Sequence, residues 1–292
     1  MTWRVVDLMA FAGEVHTSRG RLVIDTIEVP LDEIGSVLIG TKTKFSGAMI
    51  QMCAKHEIPI LTCDWRGLPL ACTFPWSENS KIAARFRAQI ESSVPKQKNA
   101  WMQVIKSKIK GQAQNLKFIG SPSAAKLFEL ADRVRSGDPE NLEARAARTY
   151  WSSLYEAGTF SRNHEMQDGI NSALNYGYAI LRSNVVKAIC QAGLNPTMGI
   201  FHRNRSNPFC LADDLMEPFR PAVDFISATD LINVVTLDRD SKSKLVEVLS
   251  LPMEKTGETV QTAILNLTSR LAIYFEGDTL KLDVPSWSPN HG

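Results

Sequence analysis

The first quarter of the chain alternates between apolar and polar residues with the two-residue period of β-strands. Apolar residues between positions 45 and 52 instead fall at helical spacing, which predicts a helix that ends near residue 56. We therefore expect a small β-rich, sandwich-like domain over residues 1–75. Strands are predicted at residues 3–8, 14–16, 22–24, 27–31, 36–39, 58–63 and 68–73.

Helical spacing dominates the remainder of the chain, so the predicted fold class is α+β, with an all-α domain over residues 76–292. From residue 278 onward two prolines and one glycine occur among polar residues, which predicts a tail that is weakly ordered at its end. Helices are predicted at residues 80–92, 95–114, 124–134, 140–157, 167–193, 213–235, 239–250 and 256–275.

Composition supports a two-domain globular protein. A chain of 292 residues with 44% hydrophobic and 22% charged residues is long enough for two cores. No apolar run approaches the roughly 18 residues that span a bilayer, so we expect no membrane association and a cytoplasmic location. The five cysteines are widely spaced and form no CxxC pair, which favours reduced thiols over a zinc ribbon or a disulfide framework.

The net charge of +2 conceals a local excess of basic residues. Between positions 81 and 117 there are nine basic residues and a single acidic one, Glu91. This pattern is compatible with a solvated helix face and equally with a track for nucleic-acid phosphates. Composition alone leaves both interpretations open.

Residues 193–224 concentrate the chemistry of the chain. His202 follows an apolar lead-in, residues 203–208 form a polar loop, and an acidic segment then opens a helix. The loop can return Glu217 toward His202, and one nitrogen with one oxygen ligand suits manganese or magnesium. A lone histidine is more often structural, and acidic residues also favour helix N-termini, so this pattern does not establish a metal site.

Glu143 lies in line with the apolar stripe of the predicted helix 140–157. A carboxylate on that face must be paired, neutral or bound to a cation, unless it simply occupies a solvated first turn. The next helix carries a polar seam, which indicates a structural network or the wall of a site. The seam comprises Asp168, Asn171, Asn175 and Tyr178, with Arg162 upstream.

Four segments together resemble a known family. LEARAARTYW, DGINSALNYGYAIL, GLNPTMGIFH and NPFCLADDLMEPFRPAVD occur in this order. They are similar to the first CRISPR-associated protein, the spacer-acquisition integrase, and DLMEPFRP is closest to its type II versions. The resemblance covers most of the chain and implies a β-rich N-terminal domain and a helical catalytic domain.

The resemblance implies that Glu143, His202 and Glu217 are the catalytic residues and together bind one Mg²⁺ or Mn²⁺ ion. Asp214 matches an auxiliary acidic position of the family. Ala144 stands where many members have glycine, which changes no chemical group.

The implied reaction joins the 3′-hydroxyl of a short DNA fragment to the edge of a CRISPR repeat. Because a metal-binding histidine must be neutral, activity is expected to fall as the pH drops through its titration. DNA binding should depend strongly on salt. The candidate DNA-contacting residues are Arg162, Asn175, Arg203, Arg205 and Arg220.

The resemblance also implies partners: a homodimer, DNA, and a small ferredoxin-like adaptation protein that completes a heterohexamer. In type II systems the effector nuclease and a further adaptation subunit join this assembly. Two other functions remain open from the residues alone. One is a DNA-binding scaffold without catalysis, and the other is a free-standing metal-dependent nuclease that cuts branched DNA.

Overall fold

The structure is a computed structural model and describes residues 4–63, 69–73, 81–155, 160–163, 169–253 and 257–289. It divides into two compact units, Met1–Ser80 and Lys81–Gly292. The first is built from strands and the second from helices, so the predicted α+β class is confirmed.

The described part of the first unit contains two four-stranded sheets. Their strands are Arg4–Leu8 (β1), Gly13–Ser18 (β2), Arg21–Ile24 (β3), Ile27–Pro30 (β4), Ile34–Ile39 (β5), Thr43–Phe45 (β6), Ile60–Cys63 (β7) and Pro69–Thr73 (β8). One sheet has the order β1-β5-β7-β8 and the other the order β4-β3-β2-β6. A single α-helix, α1, lies at Gly47–Lys55 in this part of the chain.

Burial follows the position of each strand. All six residues of β5 are buried, because parallel neighbours flank it on both sides. β2 and β3 form a hairpin whose turn places Arg19 and Gly20 at positive φ, 48° and 75°. Leu22 from one sheet, Ile34 from the other and Met49 from α1 share one fully buried core. Strand β6 was not predicted, because three residues are too few to show the alternation of a β-strand.

The named elements in the described part of the second unit are all helices. The single helix predicted over residues 213–235 is wrong, because a 3₁₀ turn, Glu217–Phe219, separates two helices there. Pro218 and Pro221 lack the N–H groups that a continuous helix would need. The helices are Ile82–Ile90 (α2), Val94–Phe118 (α3), Ser123–Arg133 (α4), Leu142–Leu154 (α5), Gly169–Gln191 (α6), Cys210–Met216 (α7), Arg220–Thr229 (α8), Arg239–Glu247 (α9) and Val260–Glu276 (α10).

The chain after α10 packs against α3. Trp287 is buried, and its indole N–H donates to Asn115 Oδ1 at 2.8 Å. The hydroxyl of Ser107 donates to the carbonyl of Pro285. Residues 290–292, where we expect weak order, lie outside the described part. No helix in the described part of the chain is long and apolar enough to cross a membrane.

Candidate metal centre

Glu143 stands at the start of α5, beside the buried face of that helix. Both carboxylate oxygens of Asp138 cap the helix by accepting the N–H groups of Leu142 and Glu143, each at 2.9 Å. Its side chain is 25% exposed and paired with Lys108, so Glu143 lies in a partly solvated first turn and outside the buried stripe. It therefore lies at the margin of the core, where it is fixed and still accessible. The buried stripe consists of Leu142, Ala146, Tyr150 and Leu154.

Glu217 opens the 3₁₀ turn between α7 and α8, and its side chain is only 6% exposed. Lys108 of α3 bridges the two glutamates, with Nζ 2.6 Å from Glu143 Oε1 and 2.5 Å from Glu217 Oε2. Arg220, one turn along, donates from Nε to Glu217 Oε1 at 2.8 Å. Lys108 is thus the charged partner of the buried Glu217 Oε2 and Arg220 the partner of Oε1, so a cation holds each oxygen of this carboxylate.

Local electrostatics keep this cluster ionised. Burial alone would raise the pKa of Glu217, but the charges of Arg220 and Lys108 lower it below the usual range. Burial alone would lower the pKa of Lys108, but Glu217 and Glu143 raise it. The negative charges of Glu143 and Glu217 are thus balanced by the positive charges of Lys108 and Arg220 in a largely buried cluster.

His202 is held by Asp214, which is completely buried. The imidazole Nδ1 lies 2.6 Å from Asp214 Oδ1, and the same carboxylate accepts the backbone N–H groups of Phe201 at 2.9 Å and His202 at 3.2 Å. The hydrogen bond to Asp214 raises the pKa of His202, and the charge of Glu217 adds to the rise. Nδ1 is therefore engaged, which leaves Nε2 for another partner.

Two further features support this placement of the histidine. The His202 ring meets Trp101 edge-on, with centroids 5.7 Å apart. A Cβ atom on Gly199 would lie 2.4 Å from the His202 carbonyl oxygen and 2.7 Å from Asp214 Oδ2. The G-I-F-H segment can close onto Asp214 only because position 199 lacks a side chain.

The polar loop at residues 203–208 is tied down by Asp213. This carboxylate accepts from Arg182 Nε at 2.8 Å and from Asn207 Nδ2 at 2.6 Å. Arg203 donates to Gln97 Oε1 at 2.7 Å, and Arg205 is exposed. Both arginines line an open cleft of about 880 Å³ that also includes His202.

The polar seam of α6 forms a hydrogen-bonded network. Arg162 donates to Asn171 Oδ1 at 2.9 Å and to Asn175 Oδ1 at 2.8 Å. Tyr178 donates its hydroxyl to Asp224 of α8, and burial raises the pKa of Asp224 to about 7. The predicted seam residue Asp168 lies outside the described residues.

A cavity of about 210 Å³ connects this network to Glu217 and Lys108. Its lining includes Arg162, Tyr178 and Asp224 from the network, and Lys108 and Glu217 from the bridged cluster. Arg220 also lines it and places its guanidinium 4.6 Å from the centre of the Tyr178 ring. The two groups of residues therefore form one continuous polar region.

The structure thus brings Glu143 and Glu217 to one point and holds His202 within electrostatic range of Glu217. In this conformation no three His, Cys, Asp or Glu side chains of the described residues are gathered closely enough to hold a metal. The donor set nevertheless fits a divalent cation. Two carboxylates already share one positive charge, and carboxylate oxygens with an imidazole nitrogen are donors that suit Mg²⁺ or Mn²⁺.

Sequence reasoning missed the bridging role of Lys108. The sequence pattern groups it with the basic residues between positions 81 and 117, several of which have partners within the protein. Arg85 pairs with Glu276, Lys96 lies over Tyr274, and Lys110 pairs with Asp132. A usable signal existed: Lys108 falls on the buried helical stripe Trp101, Ile105, Lys108, Gln112 and Asn115.

Fold and site together define an α+β protein whose helical unit carries an acidic centre bridged by buried cations. The family profile described as CRISPR associated protein Cas1 matches residues 12–257. A CRISPR-associated endonuclease Cas1 from Neisseria meningitidis serogroup C is 36% identical over 230 residues, 77% of this chain and 74% of that protein. One from Pyrobaculum aerophilum is 29% identical over 286 residues, 89% of this chain and 92% of that protein. The chain therefore belongs to the Cas1 family, as its motifs indicate.

Solved structures share the fold. A CAS1 protein from Thermotoga maritima aligns with a TM-score of 0.78 at 18% identity, covering 96% of this chain and 99% of that one. A casposase bound to its integration product aligns with a TM-score of 0.76 at 20% identity, covering 97% and 93%. A Cas6-RT-Cas1–Cas2 complex contains a chain that aligns with a TM-score of 0.75 at 18% identity, covering 97% of this chain and 36% of that one.

Proposed function

We propose that this protein is the integrase of CRISPR adaptation, which joins the 3′-hydroxyl ends of short DNA fragments into a repeat array. The observation that carries the proposal is the meeting of Glu143 and Glu217 at a single cationic position, with His202 nearby. Family membership supports it, because relatives are named endonucleases. The casposase of similar fold was solved with an integration product.

In the proposed reaction the 3′-hydroxyl of the fragment attacks a phosphodiester of the repeat. One oxygen–phosphorus bond forms and one breaks, the attacking hydroxyl loses its proton, and the leaving oxygen gains one. The numbers of bonds balance, so no external energy source is required. Glu143, His202 and Glu217 would hold the Mg²⁺ or Mn²⁺ ion, which polarises the phosphoryl oxygen and stabilises charge on the reacting oxygens.

The surrounding residues have supporting roles in this proposal. Arg220 keeps Glu217 ionised and oriented through their hydrogen bond. Asp214 holds the His202 ring through Nδ1, which leaves Nε2 available as a ligand. Arg203 and Arg205 on the cleft hold DNA phosphates, and Arg162 with Asn175 shapes the neighbouring polar wall.

The role of Asp214 can be separated from that of its neighbour. Asp214→Asn should weaken Mn²⁺ binding by about 10- to 100-fold, because the histidine loses its orienting carboxylate. Asp213→Asn is the matched control, since it loosens Arg182 and Asn207 without touching His202. Equal Mn²⁺ affinities for the two variants, measured by titration calorimetry, would contradict this role.

A strand-joining assay tests the function. Purified protein and its small adaptation partner are incubated with a prespacer, a repeat-bearing plasmid and Mn²⁺. The proposed integrase gives joined prespacer–plasmid products, which sequencing places at the repeat edge. A branched-DNA nuclease gives cuts alone, a scaffold gives binding alone, and either of these results would overturn the proposal.

For the assembly we propose a homodimer that engages DNA and a dimer of the ferredoxin-like partner. A related fold occurs within a Cas6-RT-Cas1–Cas2 complex, which supports this arrangement. The first unit exposes the apolar side chains of Ile27 and Leu70, 62% and 65% accessible, which are candidate positions for contact between subunits. Light scattering should give twice the chain mass for the wild type, and a monomer would contradict the homodimer.

A further inference from the structure

The cation that bridges the two glutamates belongs to the protein itself. Lys108 Nζ lies 2.6 Å and 2.5 Å from one oxygen of each carboxylate. Mg²⁺ and Mn²⁺ bind carboxylate oxygens at about 2.0–2.3 Å, so the ammonium stands close to where the shared ion would lie. We propose that Lys108 occupies the metal position when no divalent ion is bound, and that metal binding displaces it. This inference rests on the proposed metal centre.

Charge compensation explains why such a lysine is needed. Glu143 and Glu217 come from elements far apart in sequence, and their carboxylates would repel each other without a cation between them. Arg220 does not meet this need, because its contact is with Glu217 alone and its guanidinium is held over Tyr178. Lys108 alone among the described cations is shown to contact both carboxylates.

Lys108 and a divalent ion cannot share the position. Two like charges within hydrogen-bonding distance of the same oxygens repel strongly in a buried site. The lysine is suited to leave, since its ammonium sits on a flexible four-carbon stem. The cavity of about 210 Å³ adjoins Lys108 and provides space into which the side chain can move. Without metal, Lys108 therefore holds Glu143 and Glu217 together, and the metal takes over this role when it binds.

The alternative is a permanent structural bridge in which Lys108 stays in place when metal binds. The two arrangements predict opposite effects on metal affinity. If the lysine competes with the metal, removing its charge tightens metal binding. If it only organises the glutamates, removing it weakens binding or leaves it unchanged.

The test measures Mn²⁺ affinity of the purified full-length protein through the electron paramagnetic resonance signal of free Mn²⁺. Lys108→Met keeps the length of the side chain without its charge, and should bind Mn²⁺ at least about tenfold more tightly than the wild type. In EDTA its melting temperature should fall, and Mn²⁺ should raise it more than in the wild type. Lys110→Met is the matched control on the same helix, where the pair with Asp132 is exposed, and should leave the affinity unchanged.

A second variant keeps the test decisive if Lys108→Met does not fold in EDTA. Lys108→Arg retains the charge and should bind Mn²⁺ at least about threefold more weakly, because a guanidinium holds carboxylates with several donors. If Lys108→Met binds Mn²⁺ as tightly as the wild type or more weakly, the proposed displacement of Lys108 by metal is wrong. The proposed metal centre is not affected by that result. For Lys108→Arg, affinity equal to or tighter than wild type leads to the same conclusion. Absence of Mn²⁺ binding by the wild type overturns the metal centre itself, and this inference with it.

Discussion

The two units of the chain bury polar groups in different ways. Among the described residues of the first unit, Ser36 is the only buried polar residue, and the core is otherwise aliphatic or sulfur-containing. The second unit buries four carboxylates within a single segment, Asp213, Asp214, Glu217 and Asp224. Buried charges cost free energy unless they are paired, and here each has a partner.

This difference distinguishes residues that stabilise the fold from residues that form the candidate site. The sheets of the first unit are explained by burial of apolar surface alone. In the segment from Asp213 to Asp224, each carboxylate instead has its own role. One anchors the polar loop, one orients His202, one meets Glu143, and one joins the tyrosine network. A stable helical fold does not require this arrangement, and the proposed cation-dependent reaction on DNA gives it a use.

The largest expected effect follows from neutralising the centre of the second unit. Glu217→Gln should reduce strand joining by about 10³-fold, because a proposed metal ligand is lost. It should also lower the free energy of unfolding by about 3 kcal/mol, since Lys108 and Arg220 lose a buried counter-charge. The exposed substitution Glu247→Gln should change neither quantity. Normal strand joining by Glu217→Gln would contradict the assignment.

A change in the first unit should give the opposite pattern. Leu22→Ala removes a fully buried side chain and should cost about 3 kcal/mol in urea unfolding. Mn²⁺ affinity should stay at the wild-type value, because the proposed ligands all lie in the second unit. Weaker Mn²⁺ binding by a folded Leu22→Ala protein would show that metal affinity also depends on the first unit, which contradicts this prediction.

Asp224 makes the cost of a buried carboxylate measurable. Burial raises its pKa from 3.8 to about 7, so the folded protein favours the protonated form. The wild type should lose stability from this group as the pH rises from about 4 to 7, and no further above 7. Asp224→Asn, which remains neutral, should therefore gain about 2 kcal/mol relative to the wild type between pH 5 and pH 8. Urea unfolding at several pH values measures this difference, and a pH-independent difference would contradict the raised pKa.

The smallest effect is expected on the exposed loop. Arg203→Ala should lower the slope of log affinity for DNA against log salt by about one, with little change in stability. Arg203→Lys is the control and should retain the wild-type slope. Fluorescence anisotropy with a labelled duplex at several salt concentrations gives both slopes. An unchanged slope for Arg203→Ala would remove this residue from the DNA surface.

Local patterns predicted most of the elements and the candidate ligands. Strands and helices with clear apolar periods were found, and the segments around Glu143, His202 and Glu217 were recognised from their motifs. The break at the turn Glu217–Phe219 was missed, although Pro218 and Pro221 mark it. A helical period continues through such a turn and conceals it.

The contacts that complete the site could not be read from local pattern. Lys108 reaches Glu143 and Glu217 only because α3 packs against two elements that are distant in sequence. The pairing of Tyr178 with Asp224 likewise depends on the packing of α6 against α8. Each contact joins residues 35 or more positions apart. A local period can therefore indicate that a residue is buried, but it cannot identify the residue's partner.

The most direct test of the central claim is the position of the metal itself. Crystals of the full-length protein grown with Mn²⁺ can be measured at the manganese absorption edge. We expect one anomalous peak in contact with Glu143, His202 and Glu217, at about 2.0–2.3 Å from their ligand atoms. A peak elsewhere, or a peak that excludes any of the three residues, would contradict the account.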